Sequence, residues 1–96
     1  MARSYACIIS QDVKRDKDAL VAAAREFAYS IEVLDDGILF DVSGLERLIG
    51  KPDKIAQKIL AELERRKIRG SVAVAGTVDT AILLARQKGD GGHNTS

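Results

Sequence analysis

The chain has 96 residues, of which 46% are hydrophobic and 30% are charged, and its formal net charge at pH 7 is +1. This length suffices for one domain with one core, and the balance of hydrophobic and charged residues excludes an intrinsically disordered chain. The near-neutral charge excludes a global attraction to nucleic acid or anionic membranes, so any such binding requires a local patch.

The chain opens with a predicted strand and a predicted helix. Residues 5–10 (YACIIS) form a short β-prone run bounded by polar residues, which predicts the first strand. From Asp16 on, apolar residues recur at helical spacing as far as Ala28, and we expect Asp16 or Asp18 to cap this helix.

An acidic turn then predicts a hairpin. The triplet Asp-Asp-Gly at residues 35–37 lies between two β-type runs, residues 30–34 and 38–42. An Asp-Gly step between two strands is a strong hairpin signal. Because turns favour Asp and Gly for backbone reasons, the triplet needs no chemical role to explain it.

A capped turn and a long helix follow the hairpin. Ser43 and Glu46 have the spacing of a capping box, in which each side chain binds the other residue's backbone N–H, and Gly50 ends this turn. Pro52 suits the first turn of a second helix, because its missing N–H would be unbonded there. This helix is predicted to stop near Gly70.

The last predicted elements are a strand and a helix. Residues 71–75 predict a fourth strand, and Thr77 is expected to cap the final helix. Residues 89–96 contain no apolar side chain and are expected to form a flexible tail. We therefore predict one domain over residues 1–88, followed by a tail at residues 89–96.

The order β-α-β-β-α-β-α indicates the fold class. Two right-handed β-α-β crossovers close most simply into a four-stranded antiparallel sheet with helices on one face. We predict an α+β, ferredoxin-like βαββαβ fold with a further C-terminal helix. The strand period places Ile38, Phe40 and Val42 against the helices, and Leu39 and Asp41 on the opposite face. We expect that face to be open to a partner.

Three segments carry a family resemblance. DDGILFDVSGLERLIGKPDKIAQKIL, from residue 35 on, resembles the central palm segment of Y-family translesion DNA polymerases, where an acidic turn leads to a strand ending Asp-Val-Thr. GSVAVAGTVDTAILLARQKGD, from residue 70 on, is similar to the next strand and helix of that palm. Its form is closest to the inactive ImuB-type paralogues of bacterial mutagenesis cassettes, and YACIISQD resembles their opening strand.

The resemblance implies where metal ligands would lie. Two-metal phosphoryl transfer needs about three carboxylates around ions roughly 4 Å apart. Asp36 matches one family acid, Gly37 stands in place of a Glu, and the predicted first strand has no acid. We therefore expect no catalytic residue, no cofactor and no metal site, with Asp36 as a remnant position. A nucleotidyl-transfer enzyme that uses Asp36 with Asp12 or Asp41 is the alternative.

A run of cations is the candidate nucleic-acid surface. Arg65, Arg66, Lys67 and Arg69 lie at the predicted end of the second helix, where cations also complement the helix dipole. Phosphate contacts require several such charges together, and the 4% aromatic content gives few surfaces for base stacking. Any DNA binding is therefore expected to be weak and insensitive to sequence.

These patterns favour a non-catalytic, minimal palm-like domain that serves as an accessory or binding module in DNA repair or translesion mutagenesis. Its expected partners are DNA or DNA-repair proteins. The alternative is a ferredoxin-like protein-interaction or regulatory module with no DNA role, which forms a homodimer through the open sheet face.

Cysteine usage and hydropathy indicate the compartment. The single cysteine, Cys7, excludes an internal disulfide and is expected to be buried in its apolar run, with a reactive thiol as the alternative. The apolar runs are far shorter than the roughly 20 residues of a membrane span, and no secretory leader pattern is present. We expect a cytoplasmic protein with no membrane partner.

Overall fold

The computed structural model describes residues 3–91, with side chains through residue 88. The four strands form one sheet in the order β2-β3-β1-β4, and every neighbouring pair is antiparallel. The predicted α+β, ferredoxin-like βαββαβ fold with a further C-terminal helix is confirmed. The elements are β1 (Tyr5–Ser10), α1 (Val13–Ala24), β2 (Ile31–Val33), β3 (Gly37–Asp41), a 3-10 helix (Ser43–Arg47), α2 (Pro52–Arg65), β4 (Gly70–Ala75) and α3 (Val78–Gly91).

The main core lies between the sheet and helices α1 and α2. Ile38, Phe40 and Val42 are all buried in this core, as the strand period predicts. In the sheet register, Ile8 of β1 lies between Ile38 of β3 and Val72 of β4. The two helices supply buried side chains at helical spacing: Leu20, Ala23, Ala24, Ile55, Ile59 and Leu63.

Helix α3 covers the second face of the sheet, so the prediction of an open face is wrong. Ala81 and Ala85 of α3 are fully buried in a second cluster, which contains Cys7, Leu39 and Ala73 from the sheet. Small side chains on both surfaces allow the helix to approach the strands closely. Helix α3 covers β1 and β4 on this face, so a homodimer through the face, which stays a prediction, would have to use the part formed by β2 and β3.

Helix α1 begins and ends earlier than predicted. Asp12 is its N-cap, because the Asp12 carboxylate accepts a hydrogen bond from the backbone N–H of Arg15 at 3.4 Å. The helix ends at Ala24. Phe27 and Ala28 pack against the core from the segment after the helix, so the apolar spacing continues beyond the helical backbone.

The predicted capping box does not form. Ser43 Oγ accepts a hydrogen bond from the backbone N–H of Ser4 at 3.0 Å, and Glu46 Oε1 accepts one from the Ser4 hydroxyl at 2.9 Å. Ser4 itself is buried. The two side chains therefore fasten the start of β1 to the 3-10 helix, a long-range role that local spacing does not reveal.

Helix α3 begins as predicted and ends later. Thr77 Oγ1 accepts a hydrogen bond from the backbone N–H of Thr80 at 3.2 Å, which confirms the predicted cap. The helix continues to Gly91, so residues 89–91 belong to α3 and not to a tail. The rest of the predicted tail, residues 92–96, lies outside the described residues. No helix in the described range is long and apolar enough to cross a bilayer.

Candidate functional site

The three carboxylates considered for a metal site each have a different partner. Asp12 caps α1, and Asp36 pairs with Arg86 of α3. Asp41 accepts hydrogen bonds from the Ser43 hydroxyl and, at 2.8 Å, from the Ser43 backbone N–H. The hydroxyl first, and then the backbone N–H, lower the pKa of Asp41. Among the residues that the structure describes, no group of three or more His, Cys, Asp or Glu could hold a metal ion. The enzyme alternative therefore has no ligand cluster in this part of the chain.

Asp36, the remnant position, forms a bidentate ion pair with Arg86. Arg86 Nε donates to Asp36 Oδ2 at 2.8 Å, and Arg86 Nη2 donates to Asp36 Oδ1 at 3.1 Å. The guanidinium lowers the pKa of the Asp36 carboxyl below its usual value. Two parallel charged hydrogen bonds are a strong and specific geometry. A protein cation therefore binds both oxygens of the carboxylate that the family resemblance would assign to a metal ion.

Gly37 keeps the hairpin turn against β1. A Cβ atom at this position would overlap with the carbonyl oxygen of Ile8, a backbone atom that cannot rotate away. The residue next to Asp36 must therefore be glycine in this backbone arrangement. The Glu that the family resemblance would place at position 37 has no room here. Of the family's Asp-Glu pair, the turn can therefore carry only the Asp, at position 36.

A groove with a volume of about 650 Å³ lies beside Asp36, at the end of the sheet that carries the hairpin turn. The end of β1, the β2–β3 turn and the start of β4 meet there, and α2 and α3 supply the side walls. Five charged side chains line the groove, and the cations outnumber the carboxylates. They are Arg69, Arg86 and Lys88, with Asp36 and Glu64.

The cations of the groove differ in how they are bonded. Arg86 holds Asp36, as described above, whereas Lys88 Nζ donates to the backbone carbonyl of Val72 at 3.0 Å. Among the described residues, no carboxylate lies within ion-pair distance of Arg69 or Lys88. The positive charges of Arg69 and Lys88 are therefore uncompensated by a direct partner within this part of the structure.

The four cations predicted from sequence differ in their contacts. Arg65 and Arg66 both pair with Glu62 at 2.6 Å, and together they lower the pKa of Glu62 to about 2. Lys67 has a φ of +60°, in the left-handed region, and turns the chain out of α2. Arg69 alone among the four lines the groove. Helix spacing could not predict this separation, because the helix ends within the run.

Sequence reasoning missed Arg86 and Lys88 as site residues. Both belong to the segment that resembles the last palm helix, but no local spacing rule connects them to Asp36, which is 50 positions from Arg86. The sequence feature that could have indicated them is the pair of cations, Arg86 and Lys88, near the end of the last predicted helix. Only the tertiary structure, in which α3 packs on β1 and β4 and Arg86 reaches Asp36, shows that these cations share a groove with Asp36.

Comparisons of the chain with protein-family models, with curated proteins and with solved structures found no match. The likeness to a Y-family palm therefore depends on the sequence segments quoted above. The geometry of the groove supports a functional proposal independently of that likeness.

Proposed function

We propose that this chain is a non-catalytic, palm-like domain that acts as an accessory binding module in DNA repair or translesion mutagenesis. The observation that carries the proposal is the ion pair between Asp36 and Arg86. Metal-dependent phosphoryl transfer requires carboxylates that face the ions. Here the Arg86 guanidinium binds both oxygens of the Asp36 carboxylate. Position 37 has no room for a side chain, so a second acid cannot stand beside Asp36.

DNA is the proposed partner, bound through its phosphates. Binding of this kind carries no sequence information and weakens as salt rises. The contacts predicted from sequence are Arg65, Arg66, Lys67 and Arg69, of which the first two share Glu62. The cytoplasm is the proposed location, because the proposed DNA and repair partners are there.

Primer extension and duplex binding, measured on one preparation, test the two halves of this proposal. We expect no nucleotide incorporation with Mg²⁺ or Mn²⁺. We expect weak duplex binding. The logarithm of its association constant should fall against the logarithm of the salt concentration with a slope of about −2 to −3, as for two or three phosphate contacts. Incorporation that Asp36→Asn abolishes would contradict the non-catalytic assignment. No binding by millimolar protein at low salt would contradict the DNA role.

A protein-interaction or regulatory module with no DNA role is the second candidate. Two adjacent leucines on the outer side of α3 favour it, because Leu83 is 56% exposed and Leu84 is 38% exposed. Apolar side chains at such a position are suited to contact another protein. Sedimentation of the parent and of Leu83→Glu tests self-association: a dimer that the substitution dissociates supports this candidate, and a monomeric parent contradicts self-association.

A further inference from the structure

We propose that the groove at the end of the sheet binds a phosphate-bearing ligand of nucleotide size, with Arg69, Arg86 and Lys88 as its anion-binding residues. The shared chemistry is a phosphoryl group, which a DNA strand or a small phosphate ester can supply. If DNA supplies the phosphate, the inference rests on the proposed function and says which residues contact the DNA. With a small ester as the source, it stands independently.

The three cations reach the groove from different directions. Arg69 immediately precedes β4, whereas Arg86 and Lys88 are two positions apart on α3 and therefore leave that helix in different directions. Arg86 extends to the hairpin turn, and Lys88 extends to the carbonyl of Val72 in the edge strand β4. An anion in the groove would therefore meet positive charge from several sides.

Each cation retains donors for a ligand. A lysine ammonium has three N–H donors and an arginine guanidinium has five. Lys88 donates one bond to Val72, and Arg86 uses two of its nitrogen atoms on Asp36. Arg69 is exposed, with no ion-pair partner among the described residues. Phosphate oxygens are suitable acceptors for all of these groups.

The two serine hydroxyls of the groove are already bonded, whereas the side-chain amide of Gln11 also lines it. The Ser10 hydroxyl donates to Asp16 at 3.2 Å, and the Ser71 hydroxyl donates to the carbonyl of Ala85 at 2.6 Å. Neither hydroxyl has a proton left to donate to an anion, because a hydroxyl has one donor. The cations would therefore provide most of the binding energy for the phosphate, with the Gln11 amide as the uncharged donor, and binding should be sensitive to salt.

The size and the apolar wall of the groove indicate more than a bare phosphate ion. Its volume of about 650 Å³ lies within the usual range of roughly 300–1,000 Å³ for small-ligand sites. Ile9, Leu60 and Ile68 line it beside the charged residues, and Leu60 is 40% exposed. An organic group, such as the sugar and base of a nucleotide, can pack on these side chains while its phosphate contacts the cations.

Glycine at position 70 shapes the inner wall of the groove. A Cβ atom there would lie 2.7 Å from the carbonyl oxygen of Ile9, which is closer than atoms of this kind approach. Gly70 therefore allows β4 to start directly beside the end of β1. The two strand ends form the inner wall of the groove, and the three cations line its other sides.

The test compares two double variants with the same change in net charge. Arg69→Gln/Lys88→Gln removes two groove cations, and Arg47→Gln/Lys51→Gln removes two exposed cations that do not line the groove. Pyrophosphate, thymidine monophosphate and a short DNA duplex are titrated against each protein at low salt, with affinity measured by calorimetry. Circular dichroism melts confirm that each variant is folded, and Lys88→Arg provides a second variant that keeps the charge.

We expect the groove variant to lose about tenfold or more in affinity, since it loses charged hydrogen bonds, and the control variant to lose less than about twofold. Lys88→Arg should retain most of the affinity. Binding of thymidine monophosphate assigns a small ester as the source, and binding of the duplex alone assigns DNA.

Three outcomes would overturn the inference. The first is that no probe binds the parent, which also contradicts the DNA role. The second is that both double variants lose affinity equally, because the effect is then general electrostatics. The third is that the duplex binds the parent and the Arg69→Gln/Lys88→Gln variant with equal affinity. In that case the DNA role stands and the groove is not its site.

Discussion

Arg86 and Asp36 lie 50 positions apart in the chain and form a bidentate ion pair across one end of the sheet. The pair joins α3 to the β2–β3 turn. Its side chains are 50% and 37% exposed, so its stabilising contribution is expected to be small, about 1 kcal/mol or less. Its importance is chemical, because it neutralises the one acid that the family resemblance assigns to metal binding.

Stability should fall in acid as Glu62 becomes protonated. Arg65 and Arg66 lower the pKa of Glu62 from 4.5 to about 2, so the folded state holds this carboxylate ionised more strongly than the unfolded state does. The stabilisation is present above pH 4.5 and is lost as the pH falls toward 2. Urea unfolding of Glu62→Gln should therefore show a shallower loss of stability over this range than the parent. Equal slopes for the two proteins would contradict the assignment, and Glu64→Gln serves as a control.

Phe40→Ala should be among the most damaging substitutions. Phe40 is 2% exposed and belongs to the main core, so removal of its ring leaves a cavity. We expect a loss of about 3–5 kcal/mol in the free energy of unfolding. Tyr29 is fully exposed, so Tyr29→Ala is a matched aromatic control with an expected change within about 0.5 kcal/mol. A loss below about 1 kcal/mol for Phe40→Ala in urea unfolding would show that its ring is not buried.

Gly37→Ala should destabilise the protein far more than Gly44→Ala. A methyl group at position 37 would overlap with the carbonyl of Ile8, whereas no atom lies within 4 Å of a Cβ at position 44. We expect Gly37→Ala to lose more than about 1 kcal/mol and Gly44→Ala to change stability by less than about 1 kcal/mol. Similar unfolding midpoints for the two variants would show that the hairpin turn lies farther from β1 than described.

Cys7 should resist thiol reagents in the folded protein. Burial beneath α3 raises the pKa of the Cys7 thiol to about 11, and the side chain has no exposed surface. Reaction requires the thiolate and access to it, so native labelling at pH 8 should be more than about tenfold slower than labelling in urea. Rapid labelling of the native protein would mean that α3 does not cover this face.

The sequence predicted the fold well because its local signals agree with one another. The strand period of Ile38, Phe40 and Val42 predicted their common burial, and Thr77 predicted the start of α3. The location of α3 was not predictable in the same way. Its buried positions are alanines, and a small apolar face does not indicate which side of a sheet it covers.

The candidate site was predicted less well because long-range contacts create it. Ser43 and Glu46 have capping-box spacing, but both side chains accept hydrogen bonds from Ser4, which is 39 positions before Ser43 and 42 before Glu46. In the same way, Asp36 looks like a turn residue until α3 brings Arg86 beside it. Spacing rules describe contacts within one element, and these contacts join elements that are far apart in the chain.

Duplex affinity of the parent and of Asp36→Asn, measured in EDTA and again with Mn²⁺, tests the central claim most directly. The account predicts binding that persists in EDTA and tightens by a few-fold in Asp36→Asn, because the substitution removes a negative charge and releases Arg86 for phosphate. Binding that requires Mn²⁺ and is lost in Asp36→Asn would contradict the account, since Asp36 would then hold a metal ion.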